Sequence, residues 1–105
     1  MAAVITATGL GGIVLLAGCN MPAQASQGPR PPEKIYAKVC GYCHGKDIGP
    51  IIRGRALDTE LVKYMVRHGK GGMPAFKPTE ISPEELDNLA IWISESEADP
   101  EEHGQ

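Results

Sequence analysis

The sequence predicts an all-α protein, with three or four short helices joined by two long loops. Apolar residues recur at i, i+3 and i+4 in separate stretches, and capping residues mark where those stretches begin. Nowhere do apolar and polar residues alternate as a half-buried strand requires. There are no internal repeats, and 105 residues allow one small domain.

The first helix is expected from about Pro32 to Cys40. Proline suits a helix start, and Ile35, Tyr36 and Val39 form one apolar stripe, with Gly41 loosening the end. Residues 45–57 read as loop because Gly45, Gly49-Pro50 and Gly54 interrupt any regular pattern. Asp58 or Thr59 then offers an N-cap, and Leu61, Val62, Met65 and Val66 give a helical apolar face. Gly69 ends that helix, with Arg67 and His68 in its last turn, where cations are favoured. Residues 70–78 hold too many glycines and prolines for helix or strand. The last helix is the clearest: Ser82 as N-cap, Pro83 as first helical residue and Glu85 completing a capping box. Leu86, Leu89, Ala90 and Ile93 follow on one face.

The ends carry other signals. Residues 1–29 have no charged side chain, and residues 10–17 form an apolar run too short to span a bilayer as a helix. Residues 1–25 are expected to be an export signal, although no Lys or Arg precedes the apolar run. Two processing sites compete. Leu16-Ala17-Gly18-Cys19 resembles a lipobox, which would make Cys19 a lipidated N-terminus. Ala23-Gln24-Ala25 is a small-x-small cleavage site, and cleavage there is preferred. Residues 26–32 read as linker, 33–94 as the folded domain and 95–105 as an acidic mobile tail. The expected location is the periplasm, soluble or lipid-anchored, with membrane contact only through Cys19.

Residues 30–94 hold ten Lys and Arg against eight Asp and Glu, while the tail holds five acids, giving −3 overall. A nucleic-acid partner would call for a strongly basic face, so none is expected. About 80 residues remain for the fold, with few aromatics, and so small a chain has a marginal core of its own.

The decisive motif is Cys40-Gly41-Tyr42-Cys43-His44. C-x-x-C-H is the attachment signature of c-type haem. Two thiols three residues apart at a helix end can add to the two vinyl groups of one haem, and the next residue then offers its imidazole to the iron. Cys40 and Cys43 are therefore the expected covalent attachment points and His44 the expected proximal ligand. A redox-active thiol pair would normally open a helix in a strand-rich domain. A zinc site would need a fourth ligand, and a disulfide across so short a span would constrain little. The candidates for a sixth iron ligand are Met65, Met73, Met21, His68 and His103. Met73 is preferred because it lies in a loop, followed by Pro74, and a loop can fold over an open haem face. Met65 is the type of residue that fills a core.

His44 with downstream Gly49-Pro50 and then Met73-Pro74 resembles the class I cytochromes c. The resemblance is narrower to the small cytochrome subunits of the p-cresol methylhydroxylase type, including those of alkylphenol and eugenol hydroxylases. It is carried by Cys40-Gly41-Tyr42-Cys43-His44, Gly49-Pro50, Gly54-Arg55-x-Leu57, Val66-Arg67-x-Gly69 and Met73-Pro74-Ala75-Phe76. It implies a class I cytochrome c fold around one covalent haem c, with the carbonyl of Pro50 orienting His44. It also implies an electron carrier rather than a catalyst, fed by an FAD-containing flavoprotein that oxidises a para-alkylphenol and emptied by a second periplasmic acceptor. The rival readings are a free-standing cytochrome feeding a terminal oxidase and a haem-based ligand binder. Docking is expected at the haem edge framed by residues 73–76. Lys70, Lys77, Arg53 and Arg55 would form the rim, and Arg55 is also a candidate partner for a haem propionate. Phe76 is a candidate for the docking centre or for plain core.

Overall fold

The computed structural model describes residues 28–105, with residues 9, 11–13 and 18. Cys19, Met21 and the cleavage site at Ala25 lie outside the described residues.

Three α-helices form: α1 (Pro32–Lys38), α2 (Thr59–His68) and α3 (Pro83–Glu95). Among the described residues there are isolated bridges but no strand. α1 stops at Lys38, short of the expected Cys40. Val39 caps it, and Cys40–Tyr42 tighten into one turn of 3-10 helix. Asp58 caps α2, its carboxylate accepting from the Leu61 N–H at 3.1 Å. α3 carries the full capping box, with Ser82 and Glu85 exchanging side-chain and backbone hydrogen bonds. Such a cap is typically worth about 1 kcal/mol.

Both α1 and α2 pack on α3. The core is Ile35 and Tyr36 from α1, Val62 and Val66 from α2, Leu86, Leu89, Ala90 and Ile93 from α3, and Ile81. All four apolar positions read as the face of α3 are buried. The core is small, as a chain of this length dictates. Val66 and Ile81 belong both to it and to the wall of a large apolar cavity.

Two segments on either side of the expected 33–94 domain are tied down. Arg30, at the end of the linker, reaches α3: its Nη2 and Nε lie 2.7 and 2.9 Å from the Glu85 carboxylate, and its backbone N–H donates to the same group. The acidic tail, expected to be mobile, instead folds back on the domain. The Glu102 carboxylate accepts from the Tyr36 hydroxyl at 2.8 Å, and Arg53 pairs with Asp99 at 3.4 Å and Glu102 at 3.5 Å. The His103 N–H donates to the Gly45 carbonyl, and the Gly54 N–H to the Ser96 carbonyl. The physical reason is charge complementarity: the body supplies Arg53 and a phenol where the tail supplies carboxylates. Arg53 is therefore withdrawn from the docking rim expected of it. Its guanidinium lies 5.1 Å over the Trp92 ring, a cation–π contact that compensates in part for a buried Nε without a hydrogen-bond partner among the described residues.

Candidate haem site

A cavity of about 610 Å³ opens between the end of α1, the loop after it, α2 and the 70–76 loop. Its size lies within the range of small-molecule and cofactor sites, and its lining is largely apolar. Cys40, Cys43, His44, Pro50, Met65 and Met73 all contribute to its wall. The fold thus brings together both thiols of the motif, the adjacent imidazole and two thioethers from separate parts of the chain.

The thiols reach the cavity because α1 ends early. The tight turn at residues 40–42 carries the chain round, with the His44 N–H donating to the Cys40 carbonyl at 2.9 Å. No disulfide joins Cys40 and Cys43. Burial pushes the Cys40 thiol up to about 11, which is the reverse of what a reactive redox thiolate needs.

The ring of His44 is fixed by one hydrogen bond, with Nδ1 2.7 Å from the Pro50 carbonyl oxygen. A carbonyl only accepts, so Nδ1 carries the proton and Nε2 keeps its lone pair for a metal. The closed loop is compact: the Gly49 N–H donates to the Cys43 carbonyl, and a side chain at Gly49 would press on the His44 ring at 3.2 Å.

Met73 is placed by the C-terminal end of α2. Gly69 leaves the helix at φ +68° and ψ 177°, a region open essentially to glycine alone. A Cβ there would strike the Met73 carbonyl, so the loop crosses directly over this residue. Lys70 and Met73 exchange backbone hydrogen bonds at 3.1 and 2.9 Å, and the Phe76 N–H donates to the Val66 carbonyl. Arg67 anchors the far side by donating to the carbonyls of Phe76 and Ile81.

The other candidates fall elsewhere. His68 is exposed on α2, stacked on Tyr64 at 4.1 Å between ring centroids. His103 is held in the docked tail. Arg55 is exposed, donates to the Ile51 carbonyl and is not part of the cavity wall. Phe76 is half-buried and lines the cavity beside the core. Lys38 was not expected at the site, although its position two residues before Cys40 could have signalled it; with Lys70 it supplies the wall's positive charge.

This donor set fits a c-type haem: two unpaired thiols, an imidazole with a free Nε2, thioethers and an apolar chamber. Among the described residues no three of His, Cys, Asp and Glu converge as a metal site, which leaves the zinc reading without support. Fold and site together define an electron-transfer protein built around a covalently held haem.

The comparisons with known proteins agree. The family model described as cytochrome C oxidase, cbb3-type, subunit III matches residues 27–93. The cytochrome c subunit of 4-cresol dehydrogenase (hydroxylating) from Pseudomonas putida is 35% identical over 85 residues, covering 79% of this chain and 73% of the relative. Cytochrome c-550 of Bacillus subtilis is 29% identical over 83 residues, covering 73% of this chain and 67% of that one. A chain from the crystal structure of p-cresol methylhydroxylase with substrate bound superposes with a TM-score of 0.59 at 36% identity, over 64% of this chain and 93% of that one. The chain belongs to the c-type cytochromes, with haem c as its cofactor and electron transfer as its activity.

Proposed function

We propose that this protein is the haem-bearing subunit of a periplasmic dehydrogenase, taking electrons one at a time from an FAD-containing flavoprotein that oxidises para-alkylphenols. The observation that carries the proposal is the 35% identity, across 79% of the chain, to the cytochrome c subunit of 4-cresol dehydrogenase. Cys40 and Cys43 would hold the haem through thioether bonds, and His44 would bind the iron through Nε2 while Pro50 holds Nδ1. Met73 would be the sixth ligand, carried by a loop that Gly69 and Arg67 anchor at one end of α2. Bound there, the group supplies one-electron chemistry at its iron, at a potential raised by thioether ligation. The largely apolar wall would keep water from the iron, and Lys38 and Lys70 in that wall would offset the negative charge of the haem propionates. A second periplasmic carrier would then receive the electrons.

The test is anaerobic mixing of the oxidised holoprotein with a candidate flavoprotein and a 4-alkylphenol. Haem reduction that requires both, together with one-to-one co-purification, supports the proposal. Absence of both, with direct electron donation to an oxidase instead, would establish the second reading: a free-standing carrier feeding a terminal oxidase. That reading is favoured by the matching oxidase-subunit family model.

A further inference from the structure

We infer that the acidic tail, residues 96–105, is a positioning element for the axial histidine, acting through Glu102 and the backbone of His103. The inference rests on the assignment of His44 as an axial ligand.

The loop from His44 to Pro50 must hold the imidazole on the Pro50 carbonyl, yet it contains no helix or strand that would fix it. Apart from the Gly49 N–H to Cys43 carbonyl hydrogen bond that closes it, what fixes it comes from residues 102–105. Asp47, midway along the loop, sits at φ +61°, a left-handed conformation uncommon for L-residues, although Asp is one of the types that adopt it most readily. Both of its backbone groups are occupied by the tail. Its N–H donates to the His103 carbonyl at 2.9 Å, and its carbonyl accepts from the Gln105 side-chain amide at 3.0 Å. Two residues earlier, the Gly45 carbonyl accepts from the His103 N–H at 2.9 Å. Gly45 itself is at φ +92°, and a Cβ there would lie 2.6 Å from the Glu102 carboxylate, so that carboxylate rests directly on the residue following His44.

Glu102 connects this contact to the core. Its side chain is 11% exposed, a burial that is unfavourable for a carboxylate unless it is paired. It is paired twice, with the hydroxyl of Tyr36 on α1 and with Arg53. Tyr36 is itself 6% exposed within the core. The tail therefore ties the His44 loop to α1 through a phenol and a guanidinium. Without it, three backbone groups at Gly45 and Asp47 lose their protein partners and Asp47 loses what holds its left-handed turn. The Pro50 carbonyl is then held on the imidazole only by the Gly49 N–H to Cys43 carbonyl hydrogen bond of the loop itself.

The experiment uses the ferrous holoprotein and reads the solvent exchange of the His44 Nδ1 proton by NMR, alongside the midpoint potential. Truncation after Glu101 is expected to speed exchange about tenfold, the effect of losing one net hydrogen bond. The potential should rise, because an imidazole without that acceptor donates less to the iron and stabilises the ferric state less. Glu102→Gln and Tyr36→Phe should move both readouts the same way by less. Arg30→Ala, which loosens the start of α3 and removes no contact to residues 44–50 or 96–105, should leave both unchanged. Wild-type exchange and potential in the truncated protein with haem retained would overturn the inference, as would an equal change in Arg30→Ala. If the truncated chain loses its haem, wild-type values in both Glu102→Gln and Tyr36→Phe would overturn it. Absence of hyperfine shifts on the His44 ring in the intact ferric protein would overturn the ligand assignment, and this inference with it. Normal shifts with unaltered exchange would count against the tail alone.

Discussion

The Nδ1 atom of His44 lies 2.7 Å from the carbonyl oxygen of Pro50, and this single contact decides which ring nitrogen is left for iron. The two residues are six apart in sequence and meet because Gly49 has no side chain to separate them. Placing Pro50 in a different backbone path would release the ring without removing any ligand.

Covalent attachment is the first expectation. Denatured holoprotein should keep its haem through acid–acetone extraction and give a c-type pyridine haemochrome spectrum. Cys40→Ser with Cys43→Ser should release it fully. Haem that extracts from the unaltered protein would rule out thioether attachment.

Met65 and Met73 both line the cavity, so they must be separated by experiment. The oxidised protein should show a weak long-wavelength sulfur-to-iron band. Met73→Ala should abolish it and Met65→Leu should keep it. The opposite pattern would transfer the ligand role to α2.

The Arg30–Glu85 pair makes stability depend on acid pH. Hydrogen bonding from Arg30 holds the Glu85 carboxyl down to about 2, against an ordinary 4.5. A carboxyl depressed on folding contributes fully above its unfolded value and loses that contribution as pH falls through the folded one. Arg30→Ala should therefore cost about 1 kcal/mol near neutrality, a value tempered by the half-exposed arginine. That cost should shrink between pH 4.5 and 2. Urea unfolding of both proteins across that range checks it, and a cost independent of pH would assign the effect to packing instead.

The processing of the N-terminus has a direct readout. Intact mass of the exported holoprotein should fit a chain beginning at Ser26 plus one haem. Palmitate labelling that Cys19→Ser abolishes would establish the lipid anchor in its place.

Docking is expected at the 73–76 loop, which supplies part of the cavity wall, with the exposed Lys77 following it. Lys77→Glu should slow reduction by the proposed flavoprotein partner several-fold at low salt, and the difference should fade as ionic strength rises. Phe76→Ala should slow it at all salt concentrations, and because Phe76 also lines the cavity, the haem spectrum of this variant separates a docking effect from a packing one. Unaltered rates in both would move the docking face elsewhere.

By itself the sequence determined the features that depend on neighbours along the chain. Ser82, Pro83 and Glu85 start α3 because a capping box is satisfied within one turn. Asp58 starts α2 and Gly69 ends it for equally local reasons. Cys40, Cys43 and His44 are legible as a haem site because the chemistry needs them within five residues. Only the tertiary structure decided the rest. It placed Met65 and Met73 in the wall of one cavity, left His68 outside it, and withdrew Arg53 to the tail. The same holds for residues 96–105, which read as a solvated acidic end because no apolar stripe runs through them. Their partners, Tyr36, Gly45, Asp47 and Arg53, lie more than forty residues away in sequence. A carboxylate finds a buried phenol or guanidinium only once the helices have packed, and nothing in the residues adjacent to it records that such a partner exists.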